Sequence, residues 1–273
     1  MKHPDQKTIP IPTRQLRALI ETSNKVPSVD DSFRIQDEFL KQIRSWLAVD
    51  PYVSIAGLED FPFVYITNGI SNAIETLIYE ERHLVIHEDE YPFYRFVRPD
   101  STIVTNFAER ECANNLVVLS NPFSRNGNID HALYQSAVNT GASIWLDCAY
   151  MGSIAEGKIK LADSVETVCF SFSKGFSLQY NRIGVMFSKK QNPILEIYKE
   201  FAYVNSTAAN IALSIMNTFG VSDIARLFKP HQVKICKNLG ISPADCVWLG
   251  ESSAGEKVSL YEYLLNEAVQ YIN

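Results

Sequence analysis

From Phe63 onward, short apolar runs rich in β-branched and aromatic residues alternate with amphipathic stretches, and this alternation constrains the fold more than any other feature. Phe63 to Thr67, Leu84 to His87, Leu116 to Ser120, Ser143 to Asp147, Val168 to Phe172 and Ile183 to Phe187 read as strands. Ser71 to Glu80, Tyr91 to Val97 and Asp130 to Val138 read as helices between them. Such a series predicts an α/β sheet with helices on both faces. Before it, residues 1–30 read as a Pro-, Ser- and Thr-rich arm around one short helix near Arg14 to Glu21. Asp31-Ser32 then reads as an N-cap region, with Phe33, Ile35, Phe39, Leu40, Ile43, Trp46 and Leu47 at helical spacing. After the series, Glu196 to Phe219 and Val221 to Leu239 read as helices with a break near Asn205. Cys246 to Leu249 reads as a short strand and Ser259 to Ile272 as a terminal helix.

The chain has 273 residues, 46% of them hydrophobic and 21% charged, enough for one large domain or two unequal ones. The net charge is -6 and no block of basic residues stands out, which argues against nucleic acid or an anionic membrane as partner. Cys112, Cys148, Cys169, Cys236 and Cys246 form no CxxC pair, and three of them lie in or beside apolar runs. That usage fits a reducing compartment. Met1 to Lys7 lacks an apolar signal region and no run approaches the length of a membrane span, so a cytoplasmic protein is expected. The histidines have no metal-ligand spacing, so no metal is expected. Gly250 to Lys257 nearly matches a phosphate loop, but Glu256 stands in the lysine slot and Val258 where a hydroxyl should bind Mg²⁺. It reads as a turn.

Chemistry concentrates where the strands end. Thr167-Val168-Cys169-Phe170 leads into Ser171-Phe172-Ser173-Lys174, with Arg182-Ile183-Gly184 shortly after. A strand that delivers a lysine to the carboxyl edge of a sheet places it at the usual ligand crevice. Partly desolvated and near other cations, that amine can lose its proton and become nucleophilic. Ser171 and Arg182 offer the donors that a phosphate needs. Asn68-Gly69-Ile70-Ser71 is a glycine turn opening a helix whose free N–H groups favour an anion. Glu90-Tyr91-Pro92-Phe93-Tyr94 puts an aromatic face at another strand end, and Asn121-Pro122 puts an amide at a third. In Trp145-Leu146-Asp147-Cys148-Ala149-Tyr150 a carboxylate follows an apolar strand and must find a partner, which a protonated pyridine nitrogen would supply. Each motif taken alone has an ordinary alternative: a solvated lysine, a serine-capped turn, a half-buried tyrosine, an Asx turn, an N-cap aspartate.

In this order and at these strand ends, the motifs resemble the fold type I pyridoxal phosphate (PLP) enzymes, and among them the class I/II aminotransferase family. The match runs from about Thr67 to about Gly184, ending in Ser171-x-x-Lys174 with Arg182-x-Gly184. The resemblance implies a mostly parallel, seven-stranded sheet. It implies a large domain over residues 51–228 and a reduced small domain made from residues 1–50 and 229–273. It also implies a homodimer. Lys174 would form the internal aldimine, Asp147 would pair with the pyridinium nitrogen, and Asn121 and Tyr150 would hydrogen-bond the ring hydroxyl oxygen. Tyr91 would stack on the ring. Gly69, Ile70, Ser71, Ser171 and Arg182 would hold the phosphate. The implied activity is transamination of a small amine or amino acid. Decarboxylation, aldol cleavage or elimination on the same scaffold, and a non-catalytic PLP-binding protein, are the alternatives. Family members usually continue to an arginine that grips the substrate carboxylate, whereas Arg226 is the only arginine here after Arg182. Arg125, Arg95 and Arg98 are the candidate replacements, and a non-standard amine substrate is expected.

Overall fold

Strands apolar along their whole length are stable only with both faces covered, and the fold provides that cover. The computed structural model describes residues 8–267 and residue 271. Two helices, α1 (Arg14–Ser23) and α2 (Val29–Val49), precede strands β1 (Val53–Ala56) and β2 (Phe63–Thr67). Then come α3 (Ile70–Glu75), β3 (Leu84–His87), α4 (Phe93–Val97), β4 (Thr102–Val104), α5 (Glu109–Cys112), β5 (Leu116–Ser120) and α6 (His131–Asn139). The next elements are β6 (Ser143–Cys148), β7 (Gly157–Lys160), β8 (Val165–Ser171), α7 (Phe172–Gly175) and β9 (Gly184–Ser188). Helices α8 (Pro193–Glu200), α9 (Ser206–Thr218) and α10 (Asp223–Leu239) follow. Short strands β10 (Ser242–Pro243), β11 (Leu249–Glu251) and β12 (Lys257–Ser259) lead to α11 (Tyr261–Glu267). The Met1–Lys7 segment, and the expected terminal helix beyond Glu267 except Tyr271, lie outside the described residues.

The central sheet has seven strands in the order β2-β9-β8-β6-β5-β3-β4. Only β9 runs against the others; it pairs antiparallel with both β2 and β8. Alternate residues of each strand enter two separate cores. Val168 and Phe170 of β8 join one with Leu146 and Val117, and Cys169 joins the other with Trp145 and Val118. The first core is the larger and takes in α2, α9 and α10.

The expected sheet and its six legible strands are present, with ends shifted by up to three residues. Several differences have local causes. Helix α2 starts at Val29 rather than near Asp31-Ser32, because the Ser28 hydroxyl already accepts a hydrogen bond from the Asp31 N–H at 3.1 Å. The expected strand from Cys246 is instead β11, and Cys246 makes only an isolated bridge to Ile154. Residues 250–257, read as a turn, join β11 to β12 as a hairpin. The expected break near Asn205 is real, since its side chain caps α9 by accepting from the Ala208 N–H at 3.0 Å. Strands β1, β4 and β7 have only three or four residues each and escaped notice for that reason. Helix α10 runs unbroken through position 228, the expected edge of the large domain.

One aromatic cluster fixes the turn that carries Lys174. Trp46 of α2 stacks on Phe172 at 5.5 Å and meets Phe170 and Phe176 at 5.8 and 5.6 Å. Its indole N–H donates to the Phe219 carbonyl at 2.8 Å. Behind the same turn, a Cβ added at Gly175 would lie 2.2 Å from the Gly152 carbonyl oxygen, so the backbones touch there. Gly175→Ala should therefore cost about 1–3 kcal/mol or more of stability by overpacking. Urea unfolding that leaves the variant as stable as the parent would show that this contact does not hold the turn.

Candidate active site

The carboxyl ends of β2, β3, β5, β6 and β8 all open on one edge of the sheet, and the start of the reversed strand β9 lies there too. Lys174 sits on α7, one turn beyond β8. Its amine donates to the Thr8 carbonyl at 3.3 Å and lies 6.0 Å from the centre of the Tyr150 ring. Burial holds the amine below the usual lysine range; Arg182 adds to this, while Cys246 and Asp147 oppose it. The Lys174 carbonyl accepts from the Trp248 indole at 2.7 Å, so the lysine's backbone is tied to the chain's distal part.

Asp147 ends the apolar run of β6 and is buried. Burial pushes its carboxyl up to about 6. Hydrogen bonds from the Ala149 N–H at 2.8 Å and the Tyr94 hydroxyl at 2.9 Å favour its charged form, as does Lys174. The backbone N–H of Asn121 donates to the Asp147 carbonyl at 2.9 Å, which locks these two strand ends together. The Asn121 Oδ1 accepts from the Asp130 N–H at 3.1 Å, while its Nδ2 is buried with no hydrogen-bond partner. A buried amide N–H left unpaired costs on the order of 1–3 kcal/mol, so this donor marks a place for an acceptor.

The anion cradle forms between β2 and β9. Gly69 has φ 74° and faces Arg182, which itself has φ 55°. A Cβ at Gly69 would sit 2.6 Å from Arg182 Nη2 and displace that guanidinium, and the positive φ itself favours glycine. The same Nη2 donates to the Ser71 hydroxyl at 3.2 Å. Ile70 and Ser71 begin α3, where N–H groups lack intrahelical acceptors. Ser171 ends β8 and its hydroxyl accepts from the Ser173 N–H at 3.1 Å; the Ser173 hydroxyl is buried without a partner.

Two expected residues stand in other company. The Tyr150 hydroxyl pairs with the Thr8 hydroxyl at 3.0 Å rather than turning to Asn121, and burial pushes this phenol up. Tyr91 is 45% exposed, its ring edge-on to Tyr94 at 6.5 Å. Of the candidate carboxylate grips, Arg98 is spent on the carbonyls of Leu77 and Glu80 and on Asp100. Arg95 reaches the carbonyls of His87 and Glu88, and Arg125 pairs with Asp89 at 2.9 Å.

The sequence reading missed Thr8, Tyr94, Glu90 and Trp248. Tyr94 follows Tyr91 at helical spacing, which was a usable signal. Thr8 lies 166 positions from Lys174 and offered none. The residues present fit pyridoxal phosphate: an unpaired amide donor, a buried carboxylate, a desolvated amine and a glycine–arginine cradle share one edge.

No protein-family model matches the sequence, and neither does any curated protein. Solved structures do match in fold. An aminotransferase from Staphylococcus aureus superimposes with a TM-score of 0.67 at 14% identity, covering 98% of this chain and 92% of that one. A probable N-succinyldiaminopimelate aminotransferase from Thermus thermophilus matches with a TM-score of 0.64, 14% identity and the same coverage, 98% and 92%. An L-threonine-O-3-phosphate decarboxylase from Porphyromonas gingivalis matches with a TM-score of 0.61 at 16% identity over 96% of this chain and 86% of that one. The chain thus has, over nearly its whole length, the α/β fold shared by these structures.

Proposed function

We propose that the chain is a pyridoxal phosphate-dependent aminotransferase acting on a small amine or amino acid. The observation that carries this reading is the unpaired amide of buried Asn121, on the strand end next to buried Asp147 and on the same edge as Lys174. Fold neighbours titled as aminotransferases support it. When bound, pyridoxal phosphate supplies an aldehyde that captures amines and a ring that withdraws electrons. Lys174 Nζ would be the amine that holds it, and the same Nζ would be placed to carry a proton. Asp147 would accept the ring nitrogen's N–H and favour its protonated form. Asn121 Nδ2 would donate to the ring hydroxyl oxygen, with Tyr150 as a second candidate donor that pairs with Thr8 here. Tyr91 packs on the ring face. Gly69, Ile70, Ser71, Ser171 and Arg182 hold the phosphate. A homodimer belongs to this reading, supported by the exposed aromatics Tyr180 and Phe96. A cytoplasmic setting also belongs to it, supported by five free, buried cysteines.

The second reading, another reaction on the same cofactor, draws support from neighbours titled as a decarboxylase and a C-S lyase. Incubation of the loaded protein with a panel of amines separates the two. Conversion to the pyridoxamine form supports transamination, whereas loss of CO₂ or sulfide without it supports the alternative.

Protein incubated with pyridoxal phosphate should turn yellow, and borohydride should fix the cofactor to the peptide containing Lys174. Lys174→Ala should lose both signals and all turnover; colour and adduct retained in that variant would remove Lys174 from its role. Arg182→Ala should weaken cofactor binding about 10- to 150-fold, the loss of one charged hydrogen-bond partner worth about 1.5–3 kcal/mol. Equilibrium titration of absorbance measures it, and unchanged affinity would remove Arg182 from the cradle.

A further inference from the structure

Glu90 is a buried carboxyl that the proposed function does not use. It follows β3, and its side chain reaches across to the end of β5. The Ser120 N–H donates to Oε1 at 2.6 Å, and the Tyr91 N–H donates to Oε2 at 3.2 Å. The Ser120 hydroxyl lies 2.9 Å from Oε1 and 2.7 Å from Oε2. That hydroxyl also accepts from the Ser124 N–H at 2.8 Å. One hydroxyl has a single proton to donate, which an ionised carboxylate's two oxygens could only share. The second short contact is satisfied when Glu90 carries a proton: Oε2–H then donates to the hydroxyl while the hydroxyl donates to Oε1.

The surroundings favour the same state. Ser120 and Asp147 are register partners on adjacent parallel strands, so the two carboxyls are one strand apart. Glu90 is 3% exposed and Asp147 4%. Two negative charges so close and so dry repel, and one proton between them relieves this. Both carboxyls accept hydrogen bonds that favour their charged forms, and what separates them is Lys174, which favours the charge on Asp147. Burial, with Asp147 adding to it, pushes Glu90 up to about 7 against the opposing hydrogen bonds from Ser120 and Tyr91. The other charged or titratable groups on the surrounding elements include Tyr94 and Arg95 on α4, His87 at the end of β3 with Glu88 and Tyr91 after it, Cys148 on β6, Cys169 on β8, and the Asp89–Arg125 pair.

We propose that Glu90 is a positioning residue that holds a proton while Asp147 holds the charge, clamping Ser120 and thereby setting Asn121 and the charge balance at the ring edge. The part about Asn121 and the ring rests on the proposed pyridoxal phosphate site; the protonation of Glu90 does not. As pH rises through 7 Glu90 ionises and adds negative charge beside Asp147. That raises the proton affinity of whatever cation Asp147 faces.

The test compares the full chain with Glu90→Gln, which keeps the shape and removes the proton. Without cofactor, melting temperature is followed from pH 5 to pH 8. A group with a raised folded-state pKa costs stability once the unfolded chain has released its proton, and this cost grows until the folded pKa is passed. The melting temperature of the parent should therefore fall relative to that of Glu90→Gln as pH rises across this window. Parallel curves would overturn the proposal. Should Glu90→Gln not fold, the infrared C=O band of a protonated carboxyl decides. It should persist in Asp147→Asn and disappear there at a lower pH than in the parent; its absence at pH 5.5 in both proteins would overturn the proposal. With pyridoxal phosphate loaded, the pH midpoint of the visible absorbance should shift to lower pH in Glu90→Gln, and an unmoved midpoint would overturn the link to Asp147. A chain that takes up no cofactor yet shows diverging melting curves would sink the proposed function and leave the Glu90 proton standing.

Discussion

Glu90, Ser120, Asn121, Asp147 and Ser171 are all buried at the carboxyl edge of the central sheet, and polar groups buried in this way need partners within the protein. This one constraint organises the candidate site. An unpaired charge in such a place costs several kcal/mol, on the order of a whole domain's net stability. Burial therefore holds the Lys174 amine below the usual lysine range, Asp147 gathers two hydrogen-bond donors, and Glu90 is wrapped by Ser120. Where the pairing is left incomplete, at the Asn121 amide and the Ser173 hydroxyl, the gap points to chemistry rather than to stability.

The fold meets that constraint by layering. Residues of each strand alternate between two cores, and the larger core brings the Trp46 cluster directly beneath the Lys174 turn. Terminal and distal parts of the chain then close on the edge from outside. Thr8 reaches both the Lys174 amine and the Tyr150 hydroxyl, and Trp248 takes the Lys174 carbonyl. Segments far apart in sequence thus share responsibility for one amine.

Much of this was legible in the chain itself. The strands around Leu119, Leu146 and Phe170 could be read because burial on both faces leaves an unbroken apolar signature. The residues at their ends could be read because a lysine, an aspartate and an arginine are conspicuous after such runs. The illegible parts have physical causes as well. Short edge strands such as Thr102–Val104 carry too few residues for a period to emerge. The contact between Thr8 and Lys174 depends on how the arm packs, which no local pattern encodes. Glu90 looked like one acidic residue among several in His87-Glu88-Asp89-Glu90, and only its side-chain path to Ser120 sets it apart.

The reversal of β9 has a consequence for how the site is put together. Because that strand begins where its neighbours finish, a residue just before it arrives at the same rim as residues just after β8. Lys174 and Arg182 therefore come from a single loop-out and return of the chain. The chain path between them is therefore short, even though Thr8 and Trp248 also hold the lysine from farther away. A change that lengthened or shortened this path would displace the amine and the guanidinium relative to the rim they share.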